Sequence, residues 1–194
     1  MKKLLIGSVV GGLIIFIWQF LSYAAINFHK PIQQYTDKED VIMNFLNSQG
    51  LEEGGYILPG MPEGISKEDY EAKMEKMEGK PWASLQYHKE HENNMTMNMI
   101  RGFIVNVLAV YLFCWLVLRM NRPSFGTVLL GALAVGLIIF LNAPYINYIW
   151  FQSHDIWAHL LDYVVSWGLV GAWLGWYLRR GEIRNVPASA YERT

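Results

Sequence analysis

The chain has 194 residues, 53% hydrophobic and 17% charged, with a formal net charge of −1. It lacks the basic excess that grips a phosphate backbone, which argues against a nucleic-acid partner. Its one cysteine, Cys114, excludes an intramolecular disulfide and paired-thiol redox chemistry, and with them a quinone-coupled disulfide-forming enzyme.

Lys2 and Lys3 open the chain, and residues 4–26 form an apolar stretch long enough for the ~20 residues that a spanning helix needs. Ser22, Ala24 and Ala25 offer small residues for signal-peptide cleavage. The run from Leu4 to Leu21 is longer than a usual h-region and includes Trp18, Gln19 and Phe20. We therefore read residues 1–30 as a retained signal anchor and first transmembrane helix.

Residues 31–98 are polar, with six lysines against thirteen acids. They read as a small acidic α+β domain on the extracytoplasmic side. Thr36-Asp37-Lys38-Glu39 predicts a capping box; Val41, Ile42, Phe45 and Leu46 follow at helical spacing, and Gly50 is a stop. Tyr56-Ile57-Leu58 predicts a short strand, residues 59–64 a Pro/Gly loop, and Ser66 the start of a second helix ending before Gly79. Residues 82–87 predict a second strand or an extended lead into the next helix. A unit this small is expected to rest on the membrane helices or on a partner.

Three further apolar stretches, about 99–118, 125–142 and about 156–178, complete an all-α integral membrane protein with four transmembrane helices. Lys2, Lys3, Arg119, Arg122, Arg179, Arg180, Arg184 and Arg193 fall at ends that would share one side. An excess of Lys and Arg marks the cytoplasmic side, so both termini are expected there, with 179–194 a basic cytoplasmic tail. Gly7 with Gly11, and Gly171 with Gly175, have the spacing that lets membrane helices approach closely, which predicts contact between the first and fourth helices near the inner face. Trp18, Tyr145, Tyr148, Trp150, Phe151 and Trp157 read as outer interfacial anchors, with 145–153 lying along the leaflet. The order of elements resembles that of claudin-type tetraspan proteins, but the Trp and paired-Cys signature of their first loop is missing, so no residue role follows.

All five histidines, His29, His88, His91, His154 and His159, fall on the predicted outer side. Asp155, His159 and Asp162 are spaced i, i+4, i+7 and share a helix face. Ionisable groups within a membrane are costly and therefore paired. Arg101 and Asn106 on the second helix, Asn27 and His29 on the first and Asn142 on the third are candidate partners, with an Asp162–Arg101 pair expected. A structural network, a proton relay or solute pocket, and a metal site are the three readings. Separately, His88 and His91 lie three apart beside Met95, Met97 and Met99, a set that copper or zinc would suit. No cofactor is otherwise predicted.

Hydrolase, phosphate-loop, zinc-protease and dinucleotide motifs are absent from the sequence. The favoured expectation is a non-catalytic accessory or scaffold subunit of a bacterial inner-membrane complex, whose partners are the lipid bilayer and another membrane protein or a second copy. The alternatives are a transport or handling protein for a small solute or a copper-like metal, and an intramembrane enzyme using His159 and Asp162 as acid and base.

Overall fold

The computed structural model describes residues 1–183, with side chains as far as Arg179. The side chain of Arg180, and Arg184, Arg193 and most of the expected tail, lie outside the described residues. The elements in chain order are α1 (Lys2–Phe20), α2 (Glu39–Ser48), β1 (Gly54–Leu58), α3 (Lys67–Met77), β2 (Ala83–Tyr87), α4 (Met95–Val117), α5 (Phe125–Phe140), α6 (Ile146–Phe151) and α7 (Ile156–Ile183). The chain forms two units: Met1–Gln34 with the residues from Asn94 onward, and Tyr35–Asn93.

Among the described residues of the first unit, three helical stretches are long and apolar enough to cross a membrane: Lys2–Ala25, Met95–Val117 and Phe125–Phe151, of 24, 23 and 27 residues. The last runs from α5 through a wide π-type turn at Leu141–Tyr145 into α6. Pro144 has no N–H to give the helix, which suits such a turn. Residues 146–151 thus prolong a helix, where the sequence predicted a separate segment along the leaflet. α7 has 28 residues but interrupts its apolar face with His159 and Asp162.

α1 packs between α4 and α7, and α7 packs in turn on α5. Val110, Phe113, Cys114, Val128, Ala132, Trp167, Val170 and Leu174 form the core between them, with Phe113 edge-on to Trp167 at 5.8 Å. Glycine sets two of these approaches. A Cβ on Gly12 would stand 2.7 Å from the Val107 backbone, and one on Gly136 would stand 2.7 Å from the Tyr163 carbonyl.

α1 and α7 touch as expected, but their glycine pairs do not face each other. Gly7 looks onto the Leu174 and Cys114 side chains and Gly11 onto Val110, while Gly171 and Gly175 receive α5 through Ala132, Leu129 and Phe125. Each glycine face serves the neighbour that the helix order supplies, and α5 lies on the far side of α7 from α1. Near the start of α1, Lys3 Nζ donates to the Leu178 carbonyl at 3.0 Å. Lys3, Arg122 and Arg179 line one cavity of about 130 Å³, so these cations gather at one end of the bundle.

In the second unit, β1 and β2 pair antiparallel from Gly54–Tyr87 to Leu58–Ala83. Tyr87 Oη donates to Asn47 Oδ1 at 2.6 Å, tying the hairpin to α2. Ser66 caps α3 by accepting from Asp69 N at 3.1 Å, and Gly50 and Gly79 take the positive φ that ends each helix. The predicted capping box at Thr36 does not form. α2 begins only at Glu39, so the Thr36 hydroxyl accepts from Lys38 N in a tight turn instead. Lys89 Nζ donates to Glu52 Oε2 at 2.6 Å. This hydrogen bond, with the ammonium charge, holds the Glu52 carboxyl below its ordinary pKa, and the same bond raises that of Lys89.

Candidate functional site

The site forms where α1 ends and α7 begins. α1 loosens into a π-type turn at Leu21–Ala25, a device common near functional positions. Asn27 then adopts φ +58°, a left-handed geometry that asparagine tolerates better than most side chains. The chain reverses there, and His29 folds back with no solvent exposure. On the other side, Gln152 ends α6 in the left-handed region, and Ser153 and His154 lead to Asp155. The amide of His159 bonds to the Asp155 carbonyl at 3.1 Å, so Asp155 stands in helical register at the head of α7. Asp155, His159 and Asp162 then share one face.

His29 lies between the two acids. Its Nδ1 is 2.7 Å from Asp155 Oδ2 and its Nε2 is 2.9 Å from Asp162 Oδ2. Each carboxylate keeps a further donor: Ser153 Oγ bonds Asp155 Oδ1, and Trp18 Nε1 donates to Asp162 Oδ1 at 3.0 Å. His159 Nε2 stands 3.3 Å from Asp155 Oδ2. The His29 ring is stacked on Tyr23 at 3.7 Å and meets the His159 ring at 4.9 Å. A cavity of about 270 Å³ opens beside the cluster, walled by Trp18, Tyr23, Asn106, Tyr163, Ser166 and Trp167, with His159 and Asp162 at its polar side.

No family model, curated protein or solved structure matches this chain. What the site does is therefore read from its own geometry.

The structure brings Asp155, His159 and Asp162 together and sets Asn106 in the cavity wall, where its Nδ2 donates to Gln19 Oε1 at 2.7 Å. The expected Asp162–Arg101 pair is absent: Arg101 is exposed on α4, and the turn after α1 delivers His29 to Asp162 instead. Asn142 is exposed and bonds its own helix at the Ile138 carbonyl, at 3.1 Å. His88 and His91 follow β2 in non-helical chain, so no helical i, i+3 pair forms, and both are exposed along with Met95, Met97 and Met99.

Sequence reasoning named His29 as one partner among several and missed it as the centre. Trp18, read as an interfacial anchor, is a donor to the site; Ser153, which the sequence offers only as a serine beside His154 with no triad to complete, is another, and Tyr23 carries no sequence signal for its stacking on His29. One sequence signal pointed to His29: it is the histidine nearest the outer end of the first span, opposite two acids at i and i+7.

Proposed function

We propose that this chain is a membrane protein of four spans, α7 being the fourth, with both termini on the cytoplasmic side of a bacterial inner membrane. In this reading it handles a small cationic solute or ion at a pocket open to the outside. The single observation that supports it is the cavity of about 270 Å³ bordered by a buried Asp162 and a partly exposed His159. Buried carboxylates inside a membrane are expensive, and those beside a cavity typically serve a substrate or ion path. The aromatic walls suit a cation, since ring faces attract positive charge. The gathering of Lys3, Arg122 and Arg179 at the opposite end of the bundle favours the orientation.

Ala109 also lines the cavity. In a Cys114→Ser background, Ala109→Cys should react with a membrane-impermeant thiol reagent applied to the outer face of intact spheroplasts. Labelling only from the inner face, or none, would remove the outward pocket.

A second reading, an accessory or scaffold subunit, is favoured by a groove of about 470 Å³ in the second unit. Pro59, Met74, Met77 and Trp82 line it, with Glu75, Glu78 and Lys80 around them. Methionine-lined surfaces adapt to partner side chains. Co-purification from native membranes in mild detergent should then recover a stoichiometric partner that Trp82→Ala loses. Recovery of the wild-type chain alone would count against this reading.

A further inference from the structure

We propose that His29, His159 and Asp162 bind one divalent transition-metal ion, of which zinc is the representative. The proposal takes the pocket reading above further and relies on it for the ion's route of entry. One ligand atom from each of the three residues lies within 4.8 Å of the other two. Ligands about 2.1 Å from zinc in a tetrahedron stand roughly 3.4 Å apart, so modest side-chain rotation closes the set. No other cluster of His, Cys, Asp or Glu among the described residues brings three ligand atoms so close.

The outer contacts are those that metal ligands ordinarily have. A ligating histidine donates its second N–H to a carboxylate, which fixes the tautomer and orients the ring. His29 Nδ1 is 2.7 Å from Asp155 Oδ2, which leaves Nε2, on the Asp162 side at 2.9 Å from Oδ2, as the ligating nitrogen. Trp18 Nε1 holds Asp162 Oδ1 at 3.0 Å, so Oδ2, which faces His29 Nε2 at 2.9 Å, is the oxygen placed to share an ion with that nitrogen.

Charge points the same way. With both imidazoles neutral, as ligands must be, Asp155 and Asp162 leave two negative charges at a buried site. A dication cancels both. The ligands are nitrogen and oxygen, with no thiolate or thioether, which suits zinc and its neighbours rather than cuprous ion. The three protein ligands leave a fourth position, and the cavity beside His159 and Asp162 gives it an opening.

The test uses the full chain in nanodiscs, stripped with a chelator and dialysed against Zn²⁺, with bound metal counted by mass spectrometry. The expected result is one zinc per chain, lost in His159→Gln and Asp162→Asn. In Asp155→Asn, which leaves the ligands in place, zinc should bind about 10- to 100-fold more weakly. Should the site variants fail to fold, the wild-type chain loaded with Co²⁺ supplies a second readout. Its visible absorption should report nitrogen and oxygen ligation in a site of low symmetry, and the spectrum of hexa-aquo cobalt would overturn the proposal.

Absence of stoichiometric zinc from a monodisperse wild-type sample would also overturn it. So would zinc that survives His159→Gln and Asp162→Asn but disappears with His88→Ala and His91→Ala. Labelling of Ala109→Cys without zinc binding sinks the metal and leaves the pocket. Zinc binding without labelling supports the metal and removes the outward pocket.

Discussion

His29→Ala is the sharpest perturbation of the bundle, because it removes the one side chain that both buried acids share. The residue is fully buried and loses contacts of 2.7 and 2.9 Å to Asp155 and Asp162. A hydrogen bond to an ionised group contributes about 1.5–3 kcal/mol, so the two together amount to roughly 3–6 kcal/mol. Removing one partner from a buried charge cluster costs about 3–5 kcal/mol by an independent route. We therefore expect a loss of about 4 kcal/mol. The measurement is equilibrium unfolding of the full chain in mixed micelles, with chelator present, followed by the fluorescence of its eight tryptophans.

The companion variant adds Asp155→Asn and Asp162→Asn to His29→Ala. Unpaired amides are less costly to bury than unpaired carboxylates, so the triple variant should recover a substantial part of the loss. A His29→Ala chain within about 1 kcal/mol of wild type would refute this reasoning, because it would fall below even one such bond. A triple variant less stable than the single one would refute it too, since charge burial would then not be the cause.

The glycine contacts give a paired expectation. Gly12→Ala drives a methyl into the Val107 backbone and should destabilise the α1–α4 contact by about 1–3 kcal/mol, whereas Gly102→Ala meets open space and should leave thermal stability unchanged or raise it by up to ~1 kcal/mol; equal losses at both positions would contradict the packing. In the second unit, the lowered Glu52 pKa means that its pairing with Lys89 is present above the ordinary carboxylate pKa and is lost as pH falls through the depressed value. Carbon-detected NMR titration should place Glu52 below the ordinary glutamate range, and Lys89→Ala should raise its midpoint. A Glu52 midpoint that ignores the substitution would show that the ion pair does not form in solution.

Much of the fold was legible because it rests on local signals. Apolar runs mark the first two spanning-length helices, Lys2–Ala25 and Met95–Val117, though not the extension of the third to Phe151; the start of α3 follows from the Ser66 hydroxyl, and the ends of α2 and α3 from Gly50 and Gly79. The shared face of Asp155, His159 and Asp162 follows from helical periodicity alone. What stayed hidden depends on neighbours. Gly11 faces Val110 and Gly171 faces Ala132 because α4 and α5 flank the α1–α7 pair, and helix order in a bundle leaves no local mark. The position of His29 depends on a π-type turn and a left-handed Asn27, which apolar periodicity does not report. Thr36 misled because a capping-box pattern also fits a turn placed before the helix.

α7 joins these strands. It has the length of a span, yet it is not among the three stretches apolar enough to qualify by composition. The shortfall comes largely from His159, Asp162, Ser166 and the tryptophans. Of these, His159, Asp162, Ser166 and Trp167 line the cavity. A helix spanning lipid alone has no use for such residues, since each polar group needs a partner there. Partners are supplied: Trp18 and His29 from the end of α1 for Asp162, and Asp155 for His159. The polarity that lowers the hydropathy of α7 is thus the polarity that builds the site. In a bundle of this kind, the long helix with the poorest hydropathy is the first place to look for function.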